Sequence, residues 1–337
     1  MPMQQPIRWG VLGAARIAVK HVLPSFRSAR RSALAGIAAR DPDRARSVAA
    51  RFGIPRTYAS YEALLADPAI DAVYIPLPND LHSIWTLRAL AAGKHVLCEK
   101  PIAMSAQQAR EIAEAAARCG RHVAEAYMIR FHPQWQRARA RFAAGDLGEA
   151  RAVHAWFSYD NPPGDNLRNS PAHGGGALYD IGGYALVAAQ WLFGTRPERV
   201  IGLFARDAAQ AVDRLTSGMA DLGGGRQLVF TVSTALPRMQ SVVLYGTRGR
   251  LTIETPFNPA ADLPTRLLVD DGRDLYGAGL EVEVVAAADQ YALQLDAFSE
   301  AIAADRPPPF DIDDAICNMR ALDALFRSER SGAWERP

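Results

Sequence analysis

Gly93-Lys94-His95-Val96-Leu97-Cys98-Glu99-Lys100-Pro101 carries the strongest single signal in the chain. Its middle, 95–98, is a short apolar run set between a glycine and a charged pair, the pattern of a strand buried on both faces of a parallel sheet. Ligands of open α/β sheets bind outside the carboxyl ends of such strands, where Glu99 and Lys100 fall. Pro101 fixes its own φ and restricts Lys100, so the amine has a set direction. Of the 38 Lys and Arg residues only three are lysine: Lys20, Lys94 and Lys100. A chain that builds its surface charge from arginine keeps, at this position, the basic side chain able to act as general acid or base. A surface ion pair with Glu99 is the other reading of the same placement.

Upstream of that strand, elements alternate. A strand at 7–12 runs into Gly13-Ala14-Ala15-Arg16-Ile17-Ala18, a G-x-G-x-x-G/A fingerprint with alanine at its second and third glycine positions, which opens a helix over 15–27. The first glycine makes the tight turn, the second lets backbone approach a pyrophosphate and the third lets helix pack on strand, so Ala15 crowds the phosphate slightly. A second strand, 32–39, ends in Ala39-Arg40-Asp41-Pro42. It lacks the acid that bonds an NAD ribose. Arg40 instead suits a 2′-phosphate, so NADP is expected rather than NAD, with a solvated loop charge as the alternative. Asp41 reads as an N-cap with Pro42 at N1 of a helix ending at 52. Next come a short helix 61–66, a strand 71–75 and a helix 81–92 stopped by Gly93. Beyond the central strand lie a helix 105–119 stopped by Gly120 and a strand 122–126. Repeated β-α-β units of this kind make a doubly wound parallel sheet. Asn79, at a strand's carboxyl end, either bonds a coenzyme or shares with Asp80 the task of capping the next helix. His82 packs or caps, and with no second His or Cys at ligand spacing no metal is expected.

From 131 the texture changes. A helix at 133–144 precedes strand-like runs at 151–157, 199–204, 216–222, 227–233, 241–245, 249–254 and 281–285, an antiparallel sheet with few helices. One face of such a sheet needs a cover, and self-association supplies one. The expected division is 1–128 and 129–337, with a last helix at 313–328 packing back on the first domain. A loop at 160–173, rich in Asn, Pro and Gly, is long enough to be a lid. It leads into Gly174-Gly175-Gly176-Ala177-Leu178-Tyr179-Asp180-Ile181-Gly182-Gly183-Tyr184 and a helix over 177–192. Asp180 and Tyr184, four apart, share a face of it. They grip substrate, or Asp180 merely complements the helix N-terminus while Tyr184 packs in the core.

Composition bounds the rest. The 337 residues suit two domains, and 49% hydrophobic with 22% charged residues are ordinary globular values. A net charge of +2 gives no footprint for nucleic acid. Three scattered cysteines make no disulfide framework, which fits a reducing cytoplasm. The first six residues do not read as a signal peptide, and no apolar run is long enough to span a bilayer.

Together these residues resemble the glucose–fructose oxidoreductase, inositol dehydrogenase and MocA (Gfo/Idh/MocA) family. The matching parts are the fingerprint, Pro78-Asn79 with His82, Ala92-Gly93-Lys94-His95-Val96 running into Glu99-Lys100-Pro101, Glu125-Ala126-Tyr127 through Arg130-Phe131-His132-Pro133, and 174–184. The resemblance covers nearly the whole chain. It implies a Rossmann domain followed by an α+β domain with a large open, mainly antiparallel sheet, used for homodimer or homotetramer formation. It implies a pyridine-nucleotide oxidoreductase acting on sugars or polyols, with Lys100 beside substrate and nicotinamide and Asp180 as the matching aspartate. Many members have histidine where Tyr184 stands. Tyrosine there, with Trp9-Gly10 and Arg40, is similar to the subgroup of dimeric dihydrodiol dehydrogenase and NADP-linked xylose dehydrogenase.

On this reading Gly13, Ala15, Arg16, Ile17, Arg40, Pro78, Asn79, His82, Glu99 and Lys100 contact the coenzyme. Lys100, Asp180 and Tyr184 are catalytic, and Arg130, His132 and Arg168 contact substrate. Hydride passes between nicotinamide and a carbinol or carbonyl carbon. Tyr184 or Lys100 takes the hydroxyl proton, and Asp180 orients substrate and lysine. A non-catalytic sugar or redox sensor and an NAD-dependent glycoside hydrolase of the same fold are the competing readings.

Overall fold

The computed structural model describes residues 5–162, 164 and 166–337. The amino-terminal residues on which the signal-peptide reading partly rests, and Pro163 and Asp165 of the expected lid loop, lie outside the described residues. The chain forms two compact units, Met1–Met128 with Asp289–Ile316, and Ile129–Ala288 with Cys317–Pro337.

The first unit holds six parallel strands: β1 (Ile7–Leu12), β2 (Ser32–Ala38), β3 (Thr57–Tyr58), β4 (Ala72–Ile75), β5 (His95–Cys98) and β6 (Val123–Glu125). Their order is β3-β2-β1-β4-β5-β6, so the winding reverses between β1 and β4. All four residues of β4 and three of the four in β5 are buried, as both-face burial requires. The helices begin and end where local chemistry dictates. Asp41 accepts from the backbone N–H groups of Asp43 and Arg44 at the start of Pro42–Phe52, a cap worth about 1 kcal/mol. Ser105 caps Ala106–Cys119, and Gly120 ends it in the left-handed region. The helix after β1 begins at Arg16 and contains a π-turn at Ala18–Val22.

Helix Gln290–Ala303 was not foreseen from sequence, and it belongs to this first unit rather than to 129–337 as expected. Trp9, fully buried in β1, donates its indole N–H to Ser299 Oγ (3.0 Å) and packs its ring on Phe298 at 5.7 Å. Asp296 accepts from the Arg30 and Arg31 backbone amides, closing the end of the turn before β2. The expected last helix spans Ile312–Ser331, and from Cys317 onward it is part of the second unit.

The second unit is built on eight strands: β7 (Ala150–Asp160), β8 (Arg199–Arg206), β9 (Asp213–Asp221), β10 (Gln227–Ser233), β11 (Ala235–Gly246), β12 (Gly249–Ile253), β13 (Thr265–Asp270) and β14 (Leu280–Val285). The order is β14-β13-β12-β11-β7-β10-β9-β8, antiparallel throughout except for the parallel pair β7 and β10. Strand β13, unforeseen from sequence, bridges β12 and β14. Alternate residues such as Val153, Phe157, Phe230, Leu244 and Leu251 are buried. Helix Gly183–Phe193 packs on β7 and β10, and helix Pro133–Ala143 on β12 and β13. Helix Gly183–Phe193 is buried all round except at Trp191, as its nearly unbroken apolar sequence requires. The opposite sheet face carries a row in register across every strand: Ile201, Met219, Val229, His154, Val243, Thr252, Leu268 and Val282. Six of these eight are apolar and none is buried.

Three histidines are built in as neutral groups. His95 Nδ1 accepts from the His122 backbone N–H (3.0 Å), and His132 Nδ1 accepts from that of Gln134 (3.1 Å). His82 is 1% exposed, with its ring nitrogens 2.7 Å from the carbonyl oxygens of Pro101 and Leu77. Burial pushes all three down to about 4, although in His82 the two carbonyls pull the other way. In the unfolded chain these rings titrate near about 6.5. Between that pH and about 4 the unfolded state therefore binds protons that the folded state does not. Stability is expected to fall steadily as pH is lowered through this window, and urea midpoints measured from pH 7 to 4.5 test it. A flat profile would mean that these rings are not held neutral.

Candidate active site

In the first unit, three turns gather at the carboxyl ends of β1, β4 and β5. The turn after β1 depends on Gly13, whose φ of +116° is open to few other residues and whose added Cβ would lie 3.0 Å from Leu77 Cδ2. Its N–H bonds to Ala38 O (2.7 Å), tying the fingerprint to the end of β2. Ala15 and Ile17 are half-buried, and Arg16 and Arg40 are exposed. Arg44 was overlooked in the sequence reading. Its Nε and guanidinium NH2 donate to Ala14 O at 3.1 and 2.8 Å, laying a cation against the fingerprint turn. The Tyr61 phenol is raised by burial, opposed by its hydrogen bond with the Arg40 backbone and by that arginine's charge.

After β4, the residue at the N-cap of helix Asn79–Ala91 is Pro78, with no side-chain cap. Asn79 and Asp80 thus lie in the first turn rather than at the capping position.

The segment after β5 is held from several sides. Glu99 is 8% exposed. It accepts from the Tyr74 hydroxyl (2.6 Å) on neighbouring β4 and from the Lys100 backbone N–H (3.3 Å). Glu125, at the end of β6 and equally buried, accepts from the Ile102 N–H (2.8 Å). Burial and the Glu99 charge raise the Tyr74 phenol far above its usual range, so it remains a donor. The Lys100–Pro101 peptide is cis, and Lys100 itself is half-buried. His82 and Glu99, expected among direct coenzyme contacts, are both buried and bonded to protein groups around this segment. Lys94, the neighbouring lysine, is structural, donating to Asp67 O and Ile70 O at 2.7 Å each.

In the second unit the glycine run is a response to crowding. A Cβ on Gly175 would lie 2.5 Å from Arg168 O, and one on Gly176 would lie 2.0 Å from Asp213 Oδ1. The helix opens with a π-turn at Leu178–Gly182 before becoming the α-helix Gly183–Phe193. Asp180 lies in the π-turn. Its Oδ2 accepts from the Tyr159 hydroxyl and from Arg168 Nε, the latter at 3.1 Å. Burial and the Asp180 charge push the Tyr159 phenol well above its ordinary value. Tyr184 is 5% exposed, its ring edge-on to Phe157 at 5.6 Å and tilted on Phe257 at 5.3 Å. The structure therefore brings Asp180 together with Arg168 and Tyr159. Tyr159 sits at the end of β7, where strand alternation offered no reason to single it out. His132 is fully buried and caps helix Pro133–Ala143, and Arg130 is 5% exposed. His132 thus serves the core rather than a substrate surface. No group of His, Cys, Asp and Glu suited to a metal occurs among the described residues.

Residues 7–127 match the family described as "Oxidoreductase family, NAD-binding Rossmann fold", and residues 135–252 match its "GFO/IDH/MocA C-terminal domain". An uncharacterized oxidoreductase of Rhizobium meliloti is 44% identical over 98% of both chains. The D-xylose 1-dehydrogenase (NADP(+)) 2 of Haloferax volcanii is 37% identical over 96% of this chain and 98% of its own. Among solved structures, a 3-ketoreductase from Actinomadura kijaniata in complex with NADP and TDP-benzene superposes with a TM-score of 0.90 at 31% identity, covering 96% of this chain and 98% of that one. A parallel sheet reversing at β1/β4, a glycine turn after β1 and a lysine beyond β5 are thus joined to matches over both halves, and the chain belongs to the Gfo/Idh/MocA oxidoreductase family.

Proposed function

We propose that this protein is an NADP(H)-dependent oxidoreductase moving hydride between nicotinamide and a carbinol or carbonyl carbon of a sugar, polyol or dihydrodiol. The observation that carries this is Lys100, held at the carboxyl end of β5 by buried Glu99 and Glu125 in a sheet of dinucleotide-binding order. The residues present fit the coenzyme. Gly13 leaves the turn after β1 without a Cβ, and the amide groups that open the next helix suit a pyrophosphate. Arg40 and Arg44 are exposed cations beside that turn, and no acid stands at the end of β2 to favour a free ribose. The Haloferax relative is named as an NADP(+)-linked D-xylose 1-dehydrogenase, and the Actinomadura ketoreductase was crystallised with NADP. In variants of that ketoreductase a lysine and a tyrosine are replaced, and the two are spaced along its chain as Lys100 and Tyr184 are here.

The coenzyme supplies the hydride donor or acceptor. The protein's own groups handle the proton. We assign Lys100 to polarise the substrate oxygen and Tyr184 to relay its proton, with Asp180 orienting the substrate. Asp180 enters that role fixed by Tyr159 and Arg168. Arg168 then offers a guanidinium beside the acid to a substrate hydroxyl. Such acid–base assistance contributes on the order of 10²–10⁴ in rate.

The exposed apolar row across the second sheet supports self-association, as a homodimer or homotetramer through that face. No helix among the described residues is long and apolar enough to cross a membrane. Buried thiols at Cys98 and Cys317 favour a reducing compartment, and we assign the protein to the cytoplasm.

A screen of NADP reduction over aldoses, polyols and dihydrodiols tests the assignment, and no reduction with any of them would overturn it. With the best substrate, Lys100→Ala should lower kcat by about 10²–10⁴ while NADP still binds, and Tyr184→Phe should lower it less severely. Wild-type turnover in Lys100→Ala would remove the lysine from the mechanism. Arg40→Asp should weaken NADP binding relative to NAD in a fluorescence titration, and unchanged NADP affinity would refute its contact with the 2′-phosphate. Sedimentation of Met219→Glu should show a smaller species than wild type, and an unaltered species would exclude the sheet face as the interface.

A further inference from the structure

Asp213, the first residue of β9, is a buried acid that the proposed chemistry does not use. It is 1% exposed. Its Oδ2 accepts from the Leu178 backbone N–H and from Thr216 Oγ1, each at 2.7 Å. Its Oδ1 occupies the space where a side chain at Gly176 would begin. The carboxylate therefore plugs into the opening of the π-turn and accepts from the Leu178 amide at its start. Burial raises the Asp213 carboxyl, and the bonds from Thr216 and Leu178 and the charge of Arg206 work against that rise.

We propose that Asp213 is the positioning residue for Asp180, fixing through Gly176 both the acid and the arginine that pairs with it. Gly176 is the hinge of that argument. Its carbonyl takes the Asp180 N–H (3.1 Å), and its own N–H goes to Arg168 O (2.9 Å). Arg168 Nε returns to the Asp180 carboxylate (3.1 Å), closing a ring of contacts around one glycine. The preceding Gly175 N–H adds a bond to Ser170 O (2.9 Å), so the loop is laid down on the same turn. With Asp213 removed, the Leu178 amide loses its acceptor and Gly176 loses the wall that sets its φ of +109°. The turn carrying Asp180 is then free to relax into ordinary α-helix, which redirects the carboxylate. The glycine at 176 is thus explained by the acid beneath it, not by flexibility.

The inference rests on the role given to Asp180 above, and its test separates the two. In the full-length protein, Asp213→Ala and the isosteric Asp213→Asn are compared with wild type by amide hydrogen exchange and by steady-state kinetics. Exchange is expected to accelerate at least tenfold over 176–182 in Asp213→Ala and less in Asp213→Asn, which keeps one acceptor oxygen. Exchange unchanged over that stretch overturns the proposal whether or not the protein turns over any substrate. With an active wild type, kcat is expected to fall at least tenfold in Asp213→Ala. NADP affinity should stay within twofold, and Asp213→Asn should recover part of the loss. A kcat within twofold of wild type in both variants would overturn the positioning role, and a parallel loss of NADP affinity would show general unfolding in its place. Absence of turnover in wild type counts against the function proposed above and leaves the exchange result to decide this one. Should Asp213→Ala fail to fold, Asp213→Asn carries both measurements.

Discussion

The segment Glu99–Ile102 is pinned by buried acids, and most of what the first unit can do follows from that. A carboxylate taken out of water must have donors, or it costs several kcal/mol. Glu99 finds them in the Tyr74 hydroxyl and the Lys100 amide, and Glu125 finds one in the Ile102 amide. His82 adds a contact to the Pro101 carbonyl from the helix after β4. Strands β4, β5 and β6 and one helix thus converge on four residues, and Lys100 is the one of these whose side chain is only half-buried. A lysine on a free loop would sample many directions, whereas this one inherits the stiffness of the sheet.

The second unit uses the same device on a different scaffold. Its acid, Asp180, sits in a widened helical turn whose start is filled by Asp213 and whose approach is lined by backbone carbonyls of 168 and 170. In both units a short irregular stretch carries a residue assigned to the proposed chemistry, and a buried carboxylate is bonded to its backbone. Irregular backbone of this kind persists only where its surroundings over-determine it. The arginine-rich composition suits such a design. Arg168 and Arg44 each direct a planar fork at one acceptor group, which a lysine would hold less firmly.

Much of this was legible before any coordinates. Five of the six strands of the first unit, the Asp41 and Ser105 starts and the Gly93 and Gly120 stops follow local rules that tertiary packing did not overturn, whereas the two-residue β3 is too short to leave a pattern. The Glu99-Lys100-Pro101 turn could be placed at a strand end because a four-residue apolar run has few other uses. Helix Gln290–Ala303 leaves no clear periodicity because its apolar residues are interrupted by Gln294, which is buried, and Asp296, which faces partners distant in sequence. Strand β13 escaped because its pattern is broken by half-buried Leu268 and Val269. The site partners Tyr74, Arg44 and Asp213 were invisible for a common reason. Each acts on a residue well removed along the chain, and nothing local marks them. His82 and Glu99, expected at the coenzyme, and His132, expected at the substrate, are all buried by the fold.

The return of Asp289–Ile316 to the first unit bears on how the polypeptide is made. The serine that receives the Trp9 indole hydrogen and the phenylalanine that covers its ring are synthesised some 290 positions after it. Until then the nascent nucleotide-binding half has an open seam along β1 and β2, with apolar surface exposed while the whole eight-stranded sheet is translated. Vectorial folding in the usual order, amino-terminal half first, is therefore not available to this architecture. The first unit is complete only once the chain has passed 316, which makes the interval of synthesis the period when holdase chaperones matter most.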